Sequence, residues 1–139
     1  PGRRIINWPE QHYERGVAKN NATNHRFKRI VRIMKRLRAD MEVQGNDAAR
    51  SAAGQARSLL IECLVHSAPN ERFNQEQGGY MKDMASVLSW IIDATGPGAD
   101  ASRLLEVNGI KPLFGGGQRW TQPQAYAFFS AARRYVGME

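Results

Sequence analysis

The chain has 139 residues, 42% of them hydrophobic and 24% charged, a balance that supports one folded core. Lys and Arg number 20 against 13 Asp and Glu, giving a net charge of +7 that favours a polyanionic partner: nucleic acid, nucleotide phosphates or an anionic membrane surface. The single cysteine, Cys63, excludes an internal disulfide and a cysteine-rich zinc site and fits a reducing, cytoplasmic setting; no signal peptide is visible, and no run reaches the ~18 apolar residues of a membrane-spanning helix.

Taken in order, the chain opens on an extended-looking segment. Ile5–Ile6 is its one β-like run, suited to a short N-terminal strand or an extended linker. Trp8-Pro9-Glu10 is a helix start, with proline in the first turn and an acid beside it, and that helix runs to about Lys19. Asn20-Asn21-Ala22-Thr23 breaks it.

From Thr23 to about Val43 the spacing predicts the helix that organises the domain. Phe27, Ile30, Val31, Met34 and Leu37 recur on one face, while Arg26, Lys28, Arg29, Arg32, Lys35, Arg36 and Arg38 surround them without an acid. Like charges one turn apart repel by a few tenths of a kcal/mol per pair, so an anionic partner is expected to offset them. Thr23 or Asn24 can cap this helix.

Residues 44–56, small, polar and punctuated by glycine, read as a loop with at most a weak helical turn. Ser58 to His66 is almost wholly apolar and reads as a buried strand or a buried helix. Its good helix formers favour the helix. Glu62 inside it needs a partner, and a cation of the basic helix is the natural one. Residues 71–79 read as loop. Tyr80–Thr95 is a second amphipathic helix on Met84, Val87, Leu88 and Ile91, stopped by Gly96-Pro97-Gly98. A short helix is expected over 102–107, and turns at Asn108-Gly109 and Lys111-Pro112. Gly115-Gly116-Gly117 is a connector. Thr121 caps the last helix, Pro123 sits in its first turn, and Ala125, Phe128, Phe129, Ala132 and Val136 form its core face before Gly137. The fold class is therefore all-α: a compact bundle of five or six helices with at most one short N-terminal strand, forming a single domain over residues 1–139.

No catalytic constellation appears. No carboxylate pair has the spacing that holds two magnesium ions. His12, His25 and His66 lack metal-ligand spacing, and the glycine run lacks a phosphate-loop pattern. Cys63 lies in the most apolar segment and reads as a core residue. What remains is a phosphate-binding set: Lys19, Lys28, Arg32 and Lys35, with the hydroxyls of Thr23 and Ser58. Lysine supplies point charges for polyphosphate, and a serine at a helix start adds an O–H beside free backbone N–H groups.

Five blocks, NWPEQHYERGVAKNNAT, FKRIVRIMKRLR, SLLIECLVHSAP, EVNGIKPLF and RWTQPQAYAFFSAARRYVG, occur in an order that resembles the C-terminal helical half of bacterial nucleotidyltransferases of the DNA polymerase β superfamily. The branch is that of the oligoadenylate synthases and cyclic GMP-AMP synthase-like enzymes. The resemblance implies a two-lobed parent enzyme that uses nucleoside triphosphates, ATP among them, and makes a cyclic or linear oligonucleotide signal in antiviral defence. Its N-terminal lobe would carry a Gly-Ser motif and the aspartates that hold magnesium; its helical lobe would grip the triphosphate. Block by block, the resemblance implies that the lysine and serine that touch the triphosphate fall on Lys35 and Ser58, with Lys19 and Thr23 recurring in the KN..T block, and with Lys28 and Arg32 either supporting the phosphates or lining the cleft. The departure is the absent catalytic lobe. Opening at Pro1 without a methionine, the chain reads as the C-terminal lobe of something longer, inactive alone.

Two other readings compete. One is a stand-alone basic domain that binds nucleic acid through phosphate contacts. The other is an oligomerisation module. An exposed apolar patch involving Ile5, Ile6, Trp8 or Tyr13 is expected where the missing lobe docks.

Overall fold

A computed structural model describes residues 8–75 and 79–138, apart from the side chain of Trp8. The described residues form six α-helices and one 3-10 turn, with no strand beyond a single isolated bridge. The helices are α1 (Trp8–Ala22), α2 (Arg26–Gln44), α3 (Asp47–Gln55), α4 (Ser58–Ser67), α5 (Met81–Thr95) and α6 (Gln122–Tyr135). The all-α expectation holds. The expected strand at Ile5–Ile6 lies outside the described residues. No helix among those described is long and apolar enough to cross a membrane.

The apolar face of α2 is buried as its spacing predicts: Phe27, Ile30, Val31 and Met34 are inside, and Leu37 packs against them half-buried. On α5, Met84, Val87, Leu88 and Ile91 are buried. On α6, Ala125, Phe128, Phe129 and Ala132 are buried, while Val136 is only half-buried because it is the residue at which the helix ends. The start of α6 is a capping box. The Thr121 hydroxyl accepts from the Gln124 backbone N–H, the Gln124 side chain accepts from the Thr121 N–H, and Pro123 occupies the first turn.

Three elements depart from the sequence reading. First, α1 continues through Asn20 and Asn21 to Ala22, and the break falls at Thr23–His25. Asn24 and His25 there adopt left-handed φ values of 55° and 66°. The Thr23 hydroxyl, fully buried, donates to the Lys19 carbonyl and accepts from the Phe27 N–H. Asn20 Oδ1 accepts from the Lys28 N–H, so two side chains serve the first turn of α2. Second, the expected loop at 44–56 contains the nine-residue helix α3. Asn46 caps it by accepting from the Ala49 N–H, and Ala49, Ala52 and Ala53 are buried between α2 and α6. Small side chains let three helices approach closely, a contribution that hydrophobic periodicity underweights. Third, residues 102–107 form no helix. The Glu106 N–H donates to the Lys111 carbonyl and the Leu113 N–H to the Leu104 carbonyl, making a short hairpin with the Leu105–Pro112 bridge. Asn108 and Gly109 turn it. Asn108 Oδ1 accepts from the N–H groups of Ile110 and Lys111, and Gly109 takes φ +73°.

Helix α1 is attached mainly by polar contacts. Gly16 is buried against the Phe27 ring. Arg15 Nε donates to the Val107 carbonyl at 2.8 Å, and Lys19 Nζ donates to the Ala68 carbonyl and Asn70 Oδ1, both at 2.7 Å. Tyr13 is 67% exposed, so one residue of the expected apolar patch is on the surface. Ile5, Ile6 and the Trp8 side chain lie outside the described residues.

Candidate functional site

The outward side of α2 forms one wall of an open concavity of about 610 Å³, lined by Arg29, Arg32, Ile33, Lys35, Arg36 and Tyr80. Four of these six are cations and none is an acid. The reason is helical geometry: Arg29, Ile33 and Arg36 form one row, and Arg32, Lys35 and Arg36 the adjacent one. Arg29 stacks over the Tyr80 ring at 5.3 Å. Arg29, Arg32 and Arg36 make no ion pair with any described acid, so the concavity retains its positive charge.

Lys35 is the inner edge of this wall. Its Nζ lies 4.0 Å from Glu62 Oε1 on α4, which is the partner expected for Glu62 from the basic helix. A second partner was not legible in the sequence: His12 Nε2, from α1, lies 3.0 Å from Glu62 Oε2. Ser58 is exposed at the first residue of α4, one helical turn before Glu62 and so on the same side. No side chain caps that N-terminus, so its first N–H groups carry no side-chain acceptor.

The remaining candidates are elsewhere. Thr23 is fully buried and its oxygen is occupied by the α1–α2 junction, so it supports the turn and does not face solvent. Lys28 lies over the Tyr13 ring at 6.0 Å, outside the concavity lining. Lys19 sits at the C-terminal end of α4, whereas Ser58 is at its N-terminal end, about 13 Å away along a ten-residue helix. The structure thus brings Lys35 and Arg32 together in the concavity, while Ser58 lies outside its lining, one turn from the Glu62 that Lys35 faces. It does not bring Lys19, Thr23 or Lys28 to the same place. Arg29 and Arg36 belong to the concavity. Their spacing on α2 was a usable signal, whereas that of Tyr80 was not.

Lys19 forms part of a smaller hollow with Arg15, His66 and Asn70. Burial lowers the Lys19 amine to about 8 against the opposing attraction of Glu71. Burial, and then the charge of Lys19, lowers His66 from 6.5 to about 4, so this imidazole is neutral at pH 7. Because the unfolded chain takes up the proton first, the stability due to neutral His66 is present above pH 6.5 and is lost as pH falls through about 4. Thermal unfolding of wild type and His66→Gln is therefore expected to show a Tm advantage of wild type that shrinks from neutral pH towards acid. A constant gap would refute it. Cys63 is fully buried and its thiol is pushed up to about 12, chiefly by burial, which makes it a core side chain. Among the described residues no three His, Cys, Asp or Glu side chains converge as metal ligands.

Residues 14–137 match the profile of the C-terminal helical domain of cGAS/DncV-like nucleotidyltransferases. The chain belongs to that family. It is 36% identical over 135 residues to the cyclic dipyrimidine nucleotide synthase CdnE of Legionella pneumophila, covering 97% of this chain and 42% of that protein. It is 34% identical over 139 residues to a cyclic dipurine nucleotide synthase of Elizabethkingia meningoseptica, covering 97% and 43%. The solved structure of an Elizabethkingia meningoseptica CdnE cyclic dinucleotide synthase with GTP and Apcpp superposes with a TM-score of 0.81 at 32% identity, over 97% of this chain and 46% of that one. The chain thus spans less than half the length of the relatives it matches.

Proposed function

We propose that this CD-NTase helical domain is the triphosphate-gripping lobe of a cytoplasmic cyclic-nucleotide synthase that signals in antiviral defence. The observation that carries the reading is the concavity on α2, with four cations and no acid among its described lining residues, whose Lys35 faces Glu62 of α4, itself one turn from the exposed Ser58 at the start of that helix. Lys35 and Arg32 offer charge to the β- and γ-phosphates of a nucleotide such as ATP. Ser58 offers a hydroxyl and the N-terminus of α4 offers N–H groups. The second lobe of the parent enzyme would bring the carboxylates for magnesium, which the described residues of this domain do not assemble. Relatives of nearly equal similarity are named for pyrimidine and for purine products, which supports a grip on phosphate and leaves choice of base to residues elsewhere.

Titration of the chain with ATP and with inorganic triphosphate at low salt tests this. Lys35→Ala is expected to weaken both by about tenfold, the scale of one lost charge-assisted contact, and Lys28→Ala by much less. Equal binding by Lys35→Ala and wild type would sink the reading. A duplex that binds more tightly than either ligand, with Lys35→Ala costing no more than Arg36→Ala, would favour the nucleic-acid reading instead.

A further inference from the structure

We propose that Glu62 modulates the polyphosphate subsite as a competing counter-ion shared by His12 and Lys35, through which protonation of His12 frees Lys35 for an incoming phosphate. The inference rests on the reading of Lys35 given above.

The geometry is asymmetric. Glu62 uses one oxygen to bind His12 Nε2 at 3.0 Å, while its other oxygen faces Lys35 Nζ at 4.0 Å, beyond hydrogen-bond length. The imidazole is therefore the firm partner and the ammonium the loose one. All three side chains are partly exposed, at 27% for His12, 24% for Glu62 and 39% for Lys35, so the cluster is open to solvent. The three groups come from α1, α4 and α2, so their meeting is set by the packing of three helices.

With His12 neutral, Glu62 is a full negative charge beside Lys35, and it attracts the ammonium that a phosphate would need. With His12 protonated, the carboxylate is balanced by the imidazolium. Lys35 is then left as an uncompensated cation at the edge of the concavity. Histidine is the side chain whose ordinary charge change falls between about pH 5 and 8, which sets the pH values of the test below. Coupling is reciprocal: if protonation of His12 tightens polyphosphate binding, polyphosphate must make His12 easier to protonate by the same factor.

Other titratable and charged groups lie on the elements that carry this cluster. His66 of α4 interacts with it and is itself held neutral by burial. Arg15 and Lys19 follow on α1 itself. Lys28 of α2 is drawn over the neighbouring Tyr13. Glu62 is the acid in direct contact with His12.

The test is calorimetric titration of the chain with inorganic triphosphate near pH 6 and near pH 8, for wild type, His12→Gln, Glu62→Gln and Lys35→Ala. Comparing variants at each pH cancels the ionisation of the ligand itself. Wild type is expected to exceed His12→Gln by about fivefold near pH 6 and to match it near pH 8. Glu62→Gln is expected to bind at least as tightly as wild type at both pH values, with the His12-dependent difference gone. In NMR titrations the His12 ring signals should change charge at higher pH when triphosphate is present. If Lys35→Ala weakens binding but His12→Gln tracks wild type at both pH values, the relay is overturned and the subsite stands. If Lys35→Ala has no effect, the subsite reading fails and the relay with it. Weaker binding by Glu62→Gln at both pH values would also overturn the proposal, because Glu62 would then be holding Lys35 in place for the phosphate.

Discussion

Replacing Arg26 by alanine is expected to destabilise the domain by about 3–5 kcal/mol, the cost of leaving a buried charge without its partner. Asp83, on α5, is 1% exposed. Its Oδ2 accepts from Arg26 Nη1 at 2.7 Å, and its Oδ1 accepts from the Gln75 N–H. Arg26 also donates to the Gly79 carbonyl at 3.0 Å, so one guanidinium ties the first turn of α2 to α5 and to the segment leading into it. Removal of the arginine leaves a carboxylate inside the protein with one neutral donor, and the loss should show as a drop in Tm of about 10–20 °C. The double variant Arg26→Met/Asp83→Leu distinguishes the pair's net value from the cost of breaking it. It should recover most of the loss, because a buried ion pair and a hydrophobic pair of similar volume are close in stability. A loss below about 1 kcal/mol for Arg26→Ala would mean that another cation or water reaches Asp83.

Phe128→Ala should be comparably damaging, at about 3–5 kcal/mol. The ring is fully buried on α6 and meets Phe129 edge-on, with centroids 5.0 Å apart and planes at 78°. Helix α6 packs on both α5 and α3, so a cavity at Phe128 opens at the centre of the domain. Phe128→Leu should cost clearly less, because it restores most of the volume. Denaturant unfolding of the two variants checks the ranking. Equal losses would show that ring shape outweighs filled volume at this position.

Both effects separate what the chain states locally from what it states only when folded. The core residues of α2, α5 and α6 follow from spacing, because a helix that buries one face must repeat its apolar residues every three or four positions. The cap of α6 follows for a similarly local reason, since Thr121 and Gln124 serve backbone groups within one turn. The dense positive face of α2 is also a sequence property: with no acid among its cations, any fold that buries Phe27, Ile30 and Met34 must present Arg29, Arg32 and Arg36 outward.

Other features depend on distance in space. Alanines 49, 52 and 53 carry a weak apolar signal, and only the closeness of α2 and α6 makes α3 a buried helix. The segment at 102–107 has helix-compatible residues, yet the backbone bonds of Glu106 and Leu113 to residues across the turn win. Among the six site candidates, Thr23 and Lys19 each had the right chemistry. Packing turned the Thr23 hydroxyl inward and held the Lys19 ammonium at the far end of α4. The contact of His12 with Glu62 joins residues fifty positions apart. Periodicity and composition determine which faces of a helix are apolar or charged, because those depend on neighbours within a turn or two. Which charges share a cleft, and which are consumed as structural ties, is decided only when α1, α2 and α4 pack, because those contacts join residues far apart in the chain.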